Sequence, residues 1–96
     1  MQRKTRGQLS ILQTVEGFKS TVFTRSNSRP GTPAGGSYDD PLPYPRTQTS
    51  SGVTVTWSDG IPSGIAQIWA SSRTFYSDEA SSDVAWTAPS NKSRPY

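Results

Sequence analysis

Two clusters of side chains in this sequence have the types and spacing to bind something. In "IAQIWASSRTFYS", residues 65–77, an extended backbone sends alternate side chains to opposite faces. Trp69, Ser71, Arg73 and Phe75 then share one face, while Ile68, Ala70, Ser72 and Tyr76 share the other. An arginine beside aromatic rings forms cation–π pairs, and such a row is a surface on which a sugar or a single-stranded nucleic acid stacks. The second cluster is "SYDDPLPYP", with Tyr38, Asp39, Asp40 and Tyr44. Its rings suit the faces of sugars, and its carboxylates accept hydrogen bonds from hydroxyl groups. Trp69, Arg73, Phe75, Tyr76, Tyr38, Asp39, Asp40 and Tyr44 are therefore the candidate ligand or interface residues. The same residue types also build protein–protein interfaces, and for the 65–77 row internal packing is the simpler reading.

Catalytic chemistry has little to work with. The chain has no histidine and no cysteine, which removes the usual general base, the thiolate nucleophile and any disulfide. Serines are abundant, yet none lies in a G-x-S-x-G elbow. A carboxylate pair can run glycoside hydrolysis, but adjacent Asp39 and Asp40 point apart in extended backbone. Only oxygen ligands are available to a metal, and "SDEASSD" lacks the glycine and the ligand period of a calcium loop. "AGGS" is followed by a tyrosine and two aspartates, which would repel a phosphate. The expectation is a non-enzymatic chain with no cofactor and no metal site.

Strands must position these residues. "STVFTRS", residues 20–26, places Thr21, Phe23 and Arg25 on one face and Val22 and Thr24 on the other. "GVTVTW", residues 52–57, alternates Val53, Val55 and Trp57 against Thr54 and Thr56, the pattern of a half-buried strand. Residues 65–77 form the longest strand, and "VAWTAP", residues 84–89, a last one ended by Pro89. Residues 29–45 hold five prolines and three glycines, and read as an extended linker or an ordered loop crossing a sheet edge. "RTQTSS", residues 46–51, reads as a flexible polar loop, "SDGIPSG" as a turn and "DEASSD" as a polar turn. The fold class predicted is all-β: a small antiparallel β-sandwich-like module, with immunoglobulin and fibronectin type III arrangements among the forms open to it.

Only 30% of the residues are hydrophobic, so three Trp, four Tyr and three Phe must build the core. Each such ring buries roughly 150–250 Å². Trp57, Trp69 and Trp86 fall on expected strands and, with Val53, Val55 and Phe23, make the expected core. A core this lean is either small or completed by a partner chain. The net charge of +3 is uneven, with Arg3, Lys4, Arg6, Lys19, Arg25 and Arg29 facing only Glu16 in the first 29 residues. That arm suits a nucleic acid, although a solvated tail is the simpler reading. Residues 1–19 are read as a poorly ordered basic leader, in which Leu9, Leu12 and Val15 offer one short helical stripe. Residues 20–90 are the module and 91–96 a loose tail. The apolar part of "MQRKTRGQLSILQ" is too short and broken for a signal peptide, and no run reaches the roughly 18 residues of a membrane span.

Four blocks occur in a recognisable order: "VFTRS" leading into "RPGTPAGGSYDDPLP", then "WSDGIPSG", "IWASSRTFYSD" and "AWTAPS". In this order they resemble a segment of phage tail-fibre and tail-tip proteins, over residues 20–90. The segment "YPRTQTSSGVTV" is longer than that pattern. The resemblance implies a β-rich module of a larger, usually trimeric appendage that recognises a host surface. It also implies location in a virion tail or in a prophage product awaiting assembly in the host cytoplasm. It carries no catalytic residues.

The leading expectation is thus a structural or adhesive module acting by assembly and surface contact. Its partners would be further copies of the chain, a homotrimer in particular, or a larger tail, together with a cell-surface glycan or protein. The alternatives are a standalone monomeric β-sandwich that binds carbohydrate or protein, and a basic-tailed nucleic-acid binder.

Overall fold

The two longest runs of β-branched, aromatic and small residues form the longest ladder. In the computed structural model, which describes residues 16–83 and 85–92, the strands are β1 (Gly17–Arg25), β2 (Thr47–Ser50), β3 (Val53–Thr56), β4 (Ile68–Tyr76) and β5 (Ser90–Asn91). They form two antiparallel sheets, one of order β1-β4-β5 and one of β2-β3. The fold is all-β, a small sandwich-like arrangement. Among the described residues there is no α-helix, only a single 3₁₀ turn at Glu79–Ser81. The leader stripe of Leu9, Leu12 and Val15, the position of Val84 and the tail from residue 93 lie outside the described residues.

The register between β1 and β4 runs from Gly17 opposite Tyr76 to Arg25 opposite Ile68. Residues opposite one another share a face, so Phe18, Ser20, Val22 and Thr24 stand with Phe75, Arg73, Ser71 and Trp69. This inner face is buried at Val22, Thr24, Ser71, Trp69 and Phe75. The expected core residue Phe23 is corrected here: it lies on the outer face and is half-buried, and Val22 takes the core place. Alternation alone leaves open which face of β1 turns inward. The register with β4 decides it, and Thr24 tolerates burial because its hydroxyl donates to the Thr56 carbonyl at 2.9 Å.

β1 also starts earlier than expected. Gly17, Phe18 and Lys19, assigned to the leader, are strand residues. Phe18 packs on Tyr38 and Phe75 with ring centres 5.5 and 6.4 Å away. Glycine lets the Tyr76 ring pack directly on the backbone there, since a Cβ at Gly17 would sit 2.2 Å from that ring and displace it.

The second sheet corrects the flexible loop expected at 46–51. Thr47–Ser50 pairs with Val53–Thr56 across a two-residue turn, Ser51 and Gly52, both with positive φ (51° and 79°). That is the type I′ geometry whose twist suits a hairpin. The all-polar strand is held by facing hydroxyls, Thr47 with Thr56 at 2.8 Å and Thr49 with Thr54 at 2.7 Å. A bridge between Phe23 and Ser58 ties β1 to the residues following β3.

Trp57, Trp69, Trp86, Val22, Val55 and Phe75 form one core, with Tyr38, Leu42 and Val53 packed against it. Trp57 follows β3, and Trp86 lies on no strand, contrary to the strand expected at 84–89. Pro89 and the small residues there leave an irregular segment that still tracks β4, with Thr87 N–H donating to Ser72 and Asp83 N–H to Thr74, each at 2.9 Å. Each buried tryptophan contributes roughly 4–6 kcal/mol of gross apolar burial.

Candidate functional site

The row on β4 is assembled as expected, but it faces inward. Trp69 is 6% exposed and Phe75 is fully buried. The Trp69 indole donates to the Ser26 carbonyl at 2.9 Å, and Arg29 covers its ring at 5.1 Å. Arg73 covers the Phe75 ring at 4.6 Å. Both rings therefore have an arginine where a sugar would stack. As ligand platforms Trp69 and Phe75 are corrected to core residues, because the inner face of the sheet is closed by the rest of the chain. Tyr76 stands on the opposite face, packed on Gly17.

The arginines are anchored by backbone carbonyls rather than by acids. Arg73 donates to Asp83 O at 2.8 Å and Gly35 O at 3.1 Å. Arg29 donates to Pro89 O at 2.6 Å. Arg25 donates to Pro62 O at 2.5 Å and Ala66 O at 2.7 Å. Each guanidinium fork thus pins an irregular segment that has few ladder bonds of its own.

The proline-rich segment 29–45 is the ordered loop of the two readings. Pro30, Pro33 and Pro43 are buried, and Gln48 brackets the loop by accepting from Ala34 N–H and donating to Ala34 O and Pro45 O. Gly35 and Gly36 have φ of 88° and 100°, and a Cβ at Gly35 would lie 2.6 Å from the Tyr44 carbonyl. The Gly35 carbonyl accepts from both Arg73 and the Trp86 indole, the latter at 2.8 Å. Sequence reasoning missed this role. The "GG" pair before "SY" was its only signal.

The second cluster does not converge on one point. Tyr38 is half-buried on Phe18, and its hydroxyl reaches Glu16 at 3.5 Å. Asp39 and Asp40 are exposed, and Tyr44 is 76% exposed. Asp40 uses its backbone to close a tight turn with Ser37. Among the described residues no group of three acidic side chains gathers as a cation would require.

Other surface features have no counterpart in the sequence reading. Ile61 and Ile65, in the loop held by Arg25, are 57% and fully exposed. The outer face of the three-stranded sheet carries a groove between Lys19 and Lys92.

Comparison with family models, curated proteins and solved structures finds no match to the chain. No helix among the described residues is long and apolar enough to cross a membrane.

Proposed function

We propose that the chain is a non-enzymatic structural and adhesive module of phage tail-fibre type, acting by assembly and surface contact. The four blocks that carry the resemblance all contribute to one scaffold. Val22, the Gly35 carbonyl, Trp57, the loop clamped by Arg25, Trp69 with Arg73 and Phe75, and Trp86 each serve the core or its bracing. Contact with anything else then falls to the surface left between the blocks.

The observation that carries the reading is the loop around Ile61 and Ile65. Ordering a loop costs roughly 1–2 kcal/mol per residue of backbone entropy. Here Arg25 fixes the backbone at Pro62 and Ala66, yet both isoleucine side chains remain in water. A loop held in place while presenting apolar side chains is suited to contact with another chain.

Light scattering over a concentration series tests this. The purified chain is expected to self-associate, a trimer being the form the resemblance implies, and Ile61→Ser with Ile65→Ser to return it to monomer. A wild-type chain that stays monomeric throughout overturns assembly through this loop. Such a result favours the standalone binding module, to which the sheet groove is the pertinent feature.

A further inference from the structure

We propose that the outer face of the β1-β4-β5 sheet binds a sugar carrying an oxyanion, a carboxylate, sulfate or phosphate on one unit of a larger glycan. This deepens the adhesive reading and rests on it. Lys19 and Thr21 of β1, Ala70 and Ser72 of β4, and Ser90 and Lys92 at the third strand line a groove of about 240 Å³, with Ser71 and Thr87 completing it.

The groove follows from parity and residue size. Lys19, Thr21, Ser72 and Ala70 all lie on the face opposite Val22 and Trp69, because Thr21 pairs with Ser72 and Ala70 with Ser90. Small side chains in the middle of a sheet face leave a depression, and here they lie between two lysines. Its volume is below the roughly 300–1,000 Å³ of drug-sized pockets, which suits a single sugar unit.

The chemistry of the lining points to an anionic polyol. Among the described residues no acidic side chain lines the groove. Neither ammonium group, nor the hydroxyls of Thr21, Ser72 and Ser90, is hydrogen-bonded or ion-paired to another described residue. Thr87 Oγ1 already accepts from Ser72 N–H at 3.0 Å, which holds its hydroxyl at the rim. Two ammonium groups supply charge-assisted bonds to an oxyanion, and the hydroxyls, both donors and acceptors, match those of a sugar ring. Among the described residues no aromatic ring lines the groove, so the base stacking that carries single-stranded nucleic-acid binding has no platform on them.

The test is an amide chemical-shift titration of the ¹⁵N-labelled full chain with glucuronic acid, glucose 6-phosphate, glucose, inorganic phosphate and a thymidine oligonucleotide. The charged sugars are expected to shift the amides of Thr21, Ser72, Ser90 and Lys92, and to bind about tenfold or more tightly than glucose or phosphate. Lys19→Gln with Lys92→Gln should weaken the charged sugars by about tenfold or more, and Ser72→Ala with Ser90→Ala by several-fold. These side chains are surface or half-buried, and an otherwise unchanged spectrum verifies that the variants fold. Equal binding of phosphate, tighter binding of the oligonucleotide, or unchanged binding by the lysine variant overturns the proposal. Sugar-induced shifts confined to the 38–44 or 58–67 loops overturn the groove but leave the adhesive reading standing. No shift with any sugar also overturns the groove, and the light-scattering series then decides the adhesive reading separately.

Discussion

The guanidinium of Arg73 lies 4.6 Å from the centre of the Phe75 ring, two residues along the same strand. Side chains two apart share a face, so the arginine closes the inner face directly over a ring with no exposed surface. The same group bonds the proline-rich loop through Gly35 and the turn after β4 through Asp83. Three parts of the chain are joined at one side chain. Arg73→Ala is expected to destabilise the fold by about 1–3 kcal/mol. Arg73→Lys should recover less than half, because an ammonium lacks the planar fork. Urea unfolding of both variants measures this, and a change under about 0.5 kcal/mol in Arg73→Ala would remove the clamp from the account.

Gly35 and Gly52 share a positive φ but differ in surroundings. A Cβ at Gly35 would meet the Tyr44 carbonyl at 2.6 Å, whereas Gly52 has nothing within 4 Å. Gly52→Ala should therefore carry the conformational cost alone, about 1–2 kcal/mol. Gly35→Ala adds a backbone clash and should cost at least about 1 kcal/mol more. Denaturation midpoints compare them, and equal values would contradict the packed loop.

The three tryptophans differ in their indole N–H groups. Those of Trp69 and Trp86 donate to Ser26 and Gly35, while Trp57 Nε1 is buried with no partner among the described residues. An unpaired buried donor costs roughly 1–3 kcal/mol. Trp57→Phe should consequently destabilise less than Trp69→Phe, by about 1 kcal/mol, although Trp57 is the more buried. The same unfolding assay reads the order, and the reverse order would mean that lost volume dominates.

Arg25 holds the 58–67 loop from a distance in sequence. Without its bonds to Pro62 and Ala66, the segment is held among the described residues at its ends, by Ser58 to Phe23 and by Gln67 to Ser26 and Asn91. Arg25→Ala should lower backbone order parameters at Gly60, Ile61, Gly64 and Ile65 from about 0.8 to below about 0.6. It should also weaken self-association without unfolding the sheets. ¹⁵N relaxation checks the first and light scattering the second. Unchanged order parameters would mean the loop is rigid for another reason.

How much of this was legible depends on what each residue can reveal alone. β3 was readable because Val53, Val55 and Trp57 repeat with period two in apolar type, and β4 because its aromatic and small residues set Trp69 and Phe75 at even spacing on one face. The site residues of β4 were read on the right face of their strand. Whether that face looks in or out was not readable. β2 was missed because Thr47, Gln48, Thr49 and Ser50 have no apolar alternation and are paired through hydroxyls and backbone. The sheet groove was missed because its lysines and hydroxyls come from three separate stretches, 19–21, 70–72 and 87–92.

The sequence by itself determined the all-β class, the aromatic core and the lack of histidine and thiol chemistry, since these depend on residue types and local period. Tertiary structure alone decided that Val22 rather than Phe23 is buried, because register is set by the partner strand. It alone turned Trp69 and Phe75 inward, because the face that is covered is set by the rest of the chain, and it alone laid Arg29 over Trp69, 40 positions away in sequence. It alone left Ile61, Ile65 and the Lys19–Lys92 groove outward, since exposure is what remains when every strand has chosen its face.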